Sequence, residues 1–151
     1  METLANPILT AFEIALLDAL LAGDHPYLSS LRVQRLRATP VLREWSSAGE
    51  FLTFKVPGAP LVSPVNFEIS DVNFNMDGVD HTFGGAVLFI EKGAIKTLET
   101  FSYVDDFPVP GAERGFTIFY DDEQHRLERL QAELEWRSRG MPPDSIPKHL
   151  R

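Results

Sequence analysis

The chain has 151 residues, a length typical of one domain, and its 44% apolar and 24% charged residues exclude disordered and collagen-like classes. It has no cysteine, which excludes disulfides, thiol nucleophiles and thiolate metal sites. The formal net charge is −8 at pH 7, and residues 57–120 hold most of it, with nine acidic and three basic residues. This charge disfavours nucleic acid and anionic membranes as partners and would attract a basic protein or a divalent cation, although it also serves solubility alone in many small domains.

The N-terminal sequence indicates a cytoplasmic protein. Met1 to Leu4 lacks the basic residues that begin a secretory signal. The longest early apolar stretch, Ile14 to Ala22, contains Asp18 and is too short to cross a bilayer.

Two helices are predicted at the start of the chain. The first begins either at Asn6, with Pro7 at the first helical position, or at Thr10, which forms the capping-box spacing with Glu13. Its apolar residues recur every three or four positions, at Leu9, Phe12, Leu16, Leu17, Leu20 and Leu21, and Gly23 ends it. The second helix runs from a cap at 24–26 through about Leu36.

Residues rich in β-formers follow. Val41–Trp45 and Phe51–Val56 indicate a hairpin, and Phe67–Met76 indicates a strand with a bulge near Ser70, because Phe67 and Ile69 break the alternation of the later residues.

Three more strands are predicted after this one. Ala86–Ile90 is apolar at every position, which predicts a central strand covered on both sides. Ile95–Val104 is expected to be mostly buried because its apolar residues fall on both parities, and Phe116–Tyr120 is the last strand.

The final element is a predicted helix with acidic residues 121–123 on its first turn and Arg137 and Arg139 at its end. Leu127, Leu130 and Leu134 form a narrow apolar seam, which either packs on the core or joins two copies in a homodimer. Gly140 ends this helix. The sequence therefore predicts one α+β domain over residues 1–140, with a mostly antiparallel sheet of about five to six strands, two N-terminal helices and one C-terminal helix, followed by a tail over 141–151.

A polar row marks the strand that ends at position 76 and the turn after it. It consists of Asp71, Asn73, Asn75, Asp77 and Asp80, followed by His81. Its spacing is similar to that of a calcium loop, but Met76 and Thr82 stand where such a loop needs glycine and glutamate, so we expect no metal. The row is better interpreted as hydrogen-bonding groups presented to a partner. No phosphate-loop or dinucleotide motif is present, and Gly84–Gly85 lacks the third glycine, so we expect no cofactor.

A second group of candidate partner-binding residues follows the aromatic strand. Asp105 and Asp106 supply negative charge. Tyr103 and Phe107 are candidate aromatic anchors, as is Phe74, which lies in the strand that carries the polar row. The competing interpretation is a small enzyme or ligand-binding protein with a pocket formed by Asp80, His81, Glu99 and Asp105, in which histidine and carboxylates would transfer protons.

The stretch HTFGGAVLFIEKGAIKTLETFSYVDDFP, from His81 to Pro108, resembles a segment of small bacterial proteins, and LLAGDHPYLSSLR, from Leu20 to Arg32, is similar more weakly. In size, acidity and α+β pattern these proteins are similar to the immunity proteins that accompany polymorphic bacterial toxins. The resembling segment carries no defined activity and assigns no role to any residue; the likeness to immunity proteins is one of type, and together with the acidic middle segment and the lack of a coherent catalytic set it favours an inhibitor that binds and neutralises a cognate toxin. Our expectation is therefore a protein-binding module with an acidic surface for a basic toxin domain.

Overall fold

The computed structural model describes residues 1–113 and 115–141, and over these ranges the chain forms an antiparallel sheet with three helices. The elements in chain order are β1 (Glu2–Ala5), α1 (Ala11–Leu21), α2 (Pro26–Arg35), β2 (Thr39–Ser46), β3 (Gly49–Lys55), β4 (Phe67–Met76), β5 (Gly84–Glu91), β6 (Ala94–Ser102), β7 (Phe116–Tyr120) and α3 (Arg126–Ser138). The predicted α+β class, with two N-terminal helices and one C-terminal helix, is confirmed.

The sheet has seven strands in the order β1-β2-β3-β6-β5-β4-β7, rather than the predicted five or six. The additional strand is β1, which pairs with β2 and is exposed along all four residues. An edge strand with no buried face has no alternation of apolar and polar residues, and alternation is the signal by which strands are predicted.

Helix α1 begins at the second of its two predicted starts. The Thr10 side chain accepts a hydrogen bond from the backbone N–H of Glu13, whose carboxylate accepts one in return from the N–H of Thr10 at 2.8 Å. The same carboxylate binds both Nε and Nη2 of Arg43 on β2, at 3.1 and 2.5 Å. The N-terminus of α1 is thereby fixed to the sheet.

Helix α2 is capped by the His25 side chain, which accepts from the N–H of Tyr27, and has Pro26 at its first position. Its buried Gln34 donates to the carbonyls of Pro60 and Gly93, and its side-chain oxygen accepts from the N–H of Ile95. These three bonds attach α2 to the β5–β6 hairpin and to the loop between β3 and β4.

Two bulges explain the irregular parity of the strands. The register of β4 against β5 shifts between Ile69 and Val72, where the sequence predicts a bulge, and this lets Ile69 and Val72 both face the core. A second shift in the β5–β6 pairing, at Phe89 and Ile90, lets Ile95 and Leu98 face the core from opposite parities.

The helices cover one side of the sheet only. Leu88 and Ile90 of β5 are buried on that side, with exposures of 0% and 1%, whereas Val87 and Phe89 on the other side are only half-buried. β5 is central in the hydrogen-bonded order, but over residues 1–113 and 115–141 its second face is only half-buried, so the prediction that both sides are covered is wrong within these ranges.

Helix α3 differs from its prediction at its start and on its buried face. It begins at Arg126, so the acidic residues 121–123 precede it rather than occupy its first turn. Its buried residues are Arg126, Leu130 and Leu134, while Leu127 is 40% exposed. The predicted seam thus packs on the core through two of its three leucines. Residues 142–151 of the predicted tail lie outside the described residues.

Candidate protein-binding surface

Two loops carry acidic residues to one end of the sheet, here called the acidic end and defined by Asp77, Asp80, Asp105 and Asp106. Nε2 of His81 lies 2.7 Å from a carboxylate oxygen of Asp105, which joins the β4–β5 loop to the loop after β6. Nδ1 of His81 lies 3.4 Å from Asp80. The hydrogen bond to Asp105 raises the pKa of the His81 imidazole, and Asp80 adds to this effect.

The same pair of loops is joined a second time at Asp77. Its backbone N–H donates to the carbonyl of Gly115 at 2.8 Å. Asp77, Asp80 and Asp106 are exposed, and Asp105 is half-buried. The structure therefore brings these four predicted carboxylates to one end of the sheet, on loops that are held by backbone and side-chain bonds.

Tyr103 and Asn73 form a polar network beside the acidic end. The Tyr103 hydroxyl donates to Oδ1 of Asn73 at 2.7 Å, and Nδ2 of Asn73 donates to Asp121. Burial raises the pKa of the Tyr103 hydroxyl, and the charge of Asp121 adds to this shift. The role of Asp121 in this network could not be predicted from the sequence, because Asp121 lies 48 residues from Asn73 and no motif connects them.

Gly85 of β5 makes room for the aromatic side chains next to this network. A Cβ at Gly85 would lie 2.9 Å from Cζ of Phe101 and 3.2 Å from the hydroxyl of Tyr103. Phe101 and Tyr103 contact each other edge to face, with ring centroids 5.6 Å apart. Tyr103 is 55% exposed, so it is available to a partner.

The outer face is the side of the sheet opposite the helices. Its partly exposed apolar and acidic side chains, placed by the strand register, are Leu42, Glu44, Phe51, Val87, Phe89, Glu99, Phe101 and Phe119. Glu99 lies directly between Val87 and Phe51 across the strands, and burial raises its pKa. Asn75 is exposed on β4, while Asn73 is 8% exposed and held by its two partners.

Phe74 and Phe107, which were expected to contact a partner, are buried, and the half-buried Asp71 is paired within the fold. Phe107 is 6% exposed and packs against Phe74 and Phe83, and Phe74 is fully buried. Both are core residues because the loop after β6 folds back over the end of the core, with the N–H of Phe107 donating to the carbonyl of Ser47 at 2.7 Å. Asp71 accepts from Nε of Arg126 at 2.6 Å and so stabilises the fold.

Arg126 fixes the position of Asp71 from α3. Its guanidinium also donates to the carbonyls of Ala19, Leu20 and Ala22 at the end of α1, and lies 4.3 Å from the ring of Tyr120. A cation at a helix C-terminus is favourable for the helix dipole. A cavity of about 100 Å³ lies beside this contact and is lined by Ser70, Asp121, Asp122, Arg129 and Glu133, among others. Burial raises the pKa of the Asp71 carboxyl, which Arg126 opposes.

A buried cluster of two glutamates and one arginine lies on the helix side of the sheet. Arg43 lies between Glu13 and Glu50, with its Nε 3.4 Å from Glu50. Burial, together with the neighbouring carboxylate of Glu13, raises the pKa of Glu50 to about 9, so the Glu50 carboxyl is protonated at neutral pH. The charge of Glu113 acts in the same direction.

The four residues of the competing catalytic interpretation are only partly brought together. Asp80, His81 and Asp105 meet at the acidic end, whereas Glu99 lies on the outer face and makes no hydrogen bond or ion pair with them among the described residues. Over residues 1–113 and 115–141, no group of three histidine, aspartate or glutamate side chains is arranged to hold a metal ion. Within the same ranges, no helix has the length and hydrophobicity needed to cross a membrane.

In comparisons with known proteins, no family model, no curated protein and no solved structure matches the chain.

Proposed function

We propose that the chain is a protein-binding module, an immunity-type inhibitor that binds a basic toxin domain in the cytoplasm and neutralises it. The observation that carries this proposal is the acidic end, where Asp77, Asp80, Asp105 and Asp106 stand together on two mutually bonded loops. Two of these residues, Asp105 and Asp106, lie in the segment from His81 to Pro108 that resembles small bacterial proteins, and the likeness of such proteins to immunity proteins in size, acidity and α+β pattern supports the inhibitor role.

The charge of the acidic end suits recognition of a basic partner. Three of its four carboxylates are exposed, so their field extends into the solvent and raises the rate of encounter with a positively charged protein. Because these contacts are solvent-exposed, salt would screen them.

Tyr103 supplies an aromatic contact beside the charges. Its hydroxyl is held by Asn73, which fixes the ring before a partner arrives and lowers the entropic cost of binding. Tyrosine is among the residues most often found to dominate binding energy at interfaces.

The experiment is a comparative capture from lysate of the source organism, with the chain as bait. One variant replaces Asp77, Asp80, Asp105 and Asp106 with asparagine, and the control replaces the exposed Glu123 and Glu128 with glutamine. We expect one stoichiometric basic protein to bind the wild type and the control, to be released by high salt, and to be lost from the asparagine variant. The captured protein should be toxic when expressed alone and harmless when co-expressed with the wild-type chain. Equal capture by all three baits, or a captured protein that is acidic, would contradict the proposal.

The competing function, a small enzyme or ligand-binding protein, has one observation in its favour. His81 and Asp105 form an imidazole–carboxylate pair at 2.7 Å, an arrangement that can move a proton. Asp80 lies 3.4 Å from the same imidazole, whereas Glu99, the other carboxylate of this interpretation, lies on the outer face and makes no hydrogen bond or ion pair with these residues within the described ranges.

A further inference from the structure

The outer face carries a continuous set of apolar side chains on the central strands. Across neighbouring strands, one row contains Phe119, Asn73, Gly85 and Phe101, and the next contains Val87, Glu99, Phe51 and Glu44. Phe51 is 38% exposed, and Val87, Phe101 and Phe119 are half-buried. A group of partly exposed apolar side chains bordered by polar ones is typical of an interaction site.

The ionisable side chains in these rows are all acidic. Glu99 and Glu44 are half-buried, and neither makes a hydrogen bond or ion pair within the described ranges. In the next row, Glu68 is paired with Arg137 of α3, and two exposed lysines, Lys55 on β3 and Lys96 on β6, lie toward the far end of these strands. The middle of the outer face therefore combines apolar contacts with two unneutralised carboxylates.

We propose that the outer face is the docking surface for the protein partner, and that it takes a basic segment in which lysine or arginine alternates with apolar side chains. This inference rests on the proposed function and extends it from the acidic end to the open side of the sheet. A cation of the partner would lie between Val87 and Phe51 on Glu99, while the flanking apolar side chains would contact Phe101 and Phe89.

Charge complementarity selects this occupant over a second copy of the chain. Two outer faces packed together would bring Glu99 and Glu44 of each copy toward the same acidic side chains of the other. The whole chain also carries a net charge of −8, so self-association would be opposed at long range. A basic segment removes the unfavourable charge of Glu99 and covers its apolar neighbours in one step.

The test uses the full chain and two synthetic peptides, one alternating lysine with valine and one alternating glutamate with valine. Amide chemical shifts are recorded during titration of the ¹⁵N-labelled chain with each peptide. We expect the lysine peptide to shift amides of β3, β5 and β6, and the glutamate peptide to shift none. Glu99→Lys should weaken binding by at least about tenfold and the isosteric Glu99→Gln by about threefold, because an interfacial ion pair is lost.

Two further variants separate the local contact from effects on folding and on overall charge. Val87→Thr keeps a β-branched side chain in the strand but removes an apolar contact, so binding should weaken while the circular dichroism spectrum stays unchanged. Glu128→Lys, at an exposed position of α3, makes the same charge change as Glu99→Lys. Because position 128 lies on α3 and not on the outer face, the affinity for the lysine peptide should change by less than about twofold.

Chemical-shift changes confined to the acidic end, or no binding of the lysine peptide, would contradict the proposal that the outer face is the docking surface. The proposed inhibitor function would then still be tested separately by the capture experiment. A concentration-dependent dimer whose interface maps to β3, β5 and β6 would overturn it as well, because a second copy would then be the occupant. If peptide binding maps to the outer face but no basic protein is captured, the surface stands and the inhibitor function fails.

Discussion

Replacement of Glu50 by glutamine should stabilise the protein at neutral pH. The side chain of Glu50 is fully buried, next to Glu13 and 3.4 Å from the single guanidinium of Arg43. Its carboxyl is neutral in the folded state and ionised in the unfolded state at pH 7, so folding must take up a proton there. Glutamine is of nearly the same size and needs no proton.

The size of the effect follows from the pKa of Glu50, which is raised from 4.5 to about 9. For an acid whose pKa is raised by folding, stability is greatest below the unfolded pKa and falls as the pH rises from 4.5 toward 9. At pH 7 the unfolded group lies about 2.5 pH units above its pKa, which at 1.36 kcal/mol per unit makes the proton uptake cost about 3 kcal/mol. Glu50→Gln should recover most of this free energy at pH 7 and almost none at pH 4.

The assay is urea denaturation of the wild type and Glu50→Gln between pH 4 and pH 8, with Glu91→Gln as an exposed control for the same chemical change. The stability gain should grow with pH for Glu50→Gln and stay near zero for Glu91→Gln. A Glu50→Gln variant that is less stable than the wild type at pH 7, or a gain independent of pH, would refute the assignment of a neutral buried carboxyl.

Three other perturbations test the fold and the acidic end. Arg126→Met should lower the free energy of unfolding by about 3 kcal/mol, because it removes the donor from Asp71 and from the carbonyls of Leu20 and Ala22. The exposed Arg129→Met should change it by less than about 1 kcal/mol, and thermal and urea denaturation of both variants measures this. Phe107→Ala should cost about 3–5 kcal/mol in the same assay, because Phe107 is a core residue, and a cost below about 1 kcal/mol would contradict its burial. NMR titration of the His81 ring should give a midpoint above the ordinary 6.5, with the protonated form favoured by Asp105 and this contribution lost as the pH rises through the raised pKa. In Asp105→Asn the midpoint should fall, and an unchanged midpoint would show that the pair does not form in solution.

The sequence was sufficient to predict features determined by local pattern. The capping box of Thr10 and Glu13 was recognisable because both partners lie within one helical turn. The bulge near Ser70 was recognisable because Phe67 and Ile69 change parity relative to Val72, and only an extra residue lets both sets face the core.

Features that depend on distant contacts could not be predicted in this way. The burial of Arg126 could not be predicted, because it depends on carbonyls at the end of α1 that no local pattern reveals. Phe107 was interpreted as a surface anchor because it follows two aspartates, whereas the loop folds back and packs it on Phe74. The partial exposure of Val87 and Phe89 on β5 could not be predicted, because these two residues are as apolar as the buried Leu88.

The candidate surface was predicted in its charges but not in its extent. The acidic end is recognisable as aspartates on two loops, and the structure joins those loops through His81 and Asp105. The outer face could not be predicted, because Phe51, Glu99 and Val87 belong to three separate strands that become neighbours only through the order β3-β6-β5.

Binding of a basic protein through the acidic end can be tested by measuring the affinity of the captured partner for the chain at low and at high salt. The purified partner would be titrated into the wild type and into the variant with asparagine at the four acidic-end positions. If the acidic end holds the partner, the wild type should bind tightly and binding should weaken strongly with salt. The variant should bind weakly, and its affinity should depend little on salt. Equal affinities for the two chains, or a wild-type affinity that salt leaves unchanged, would contradict it.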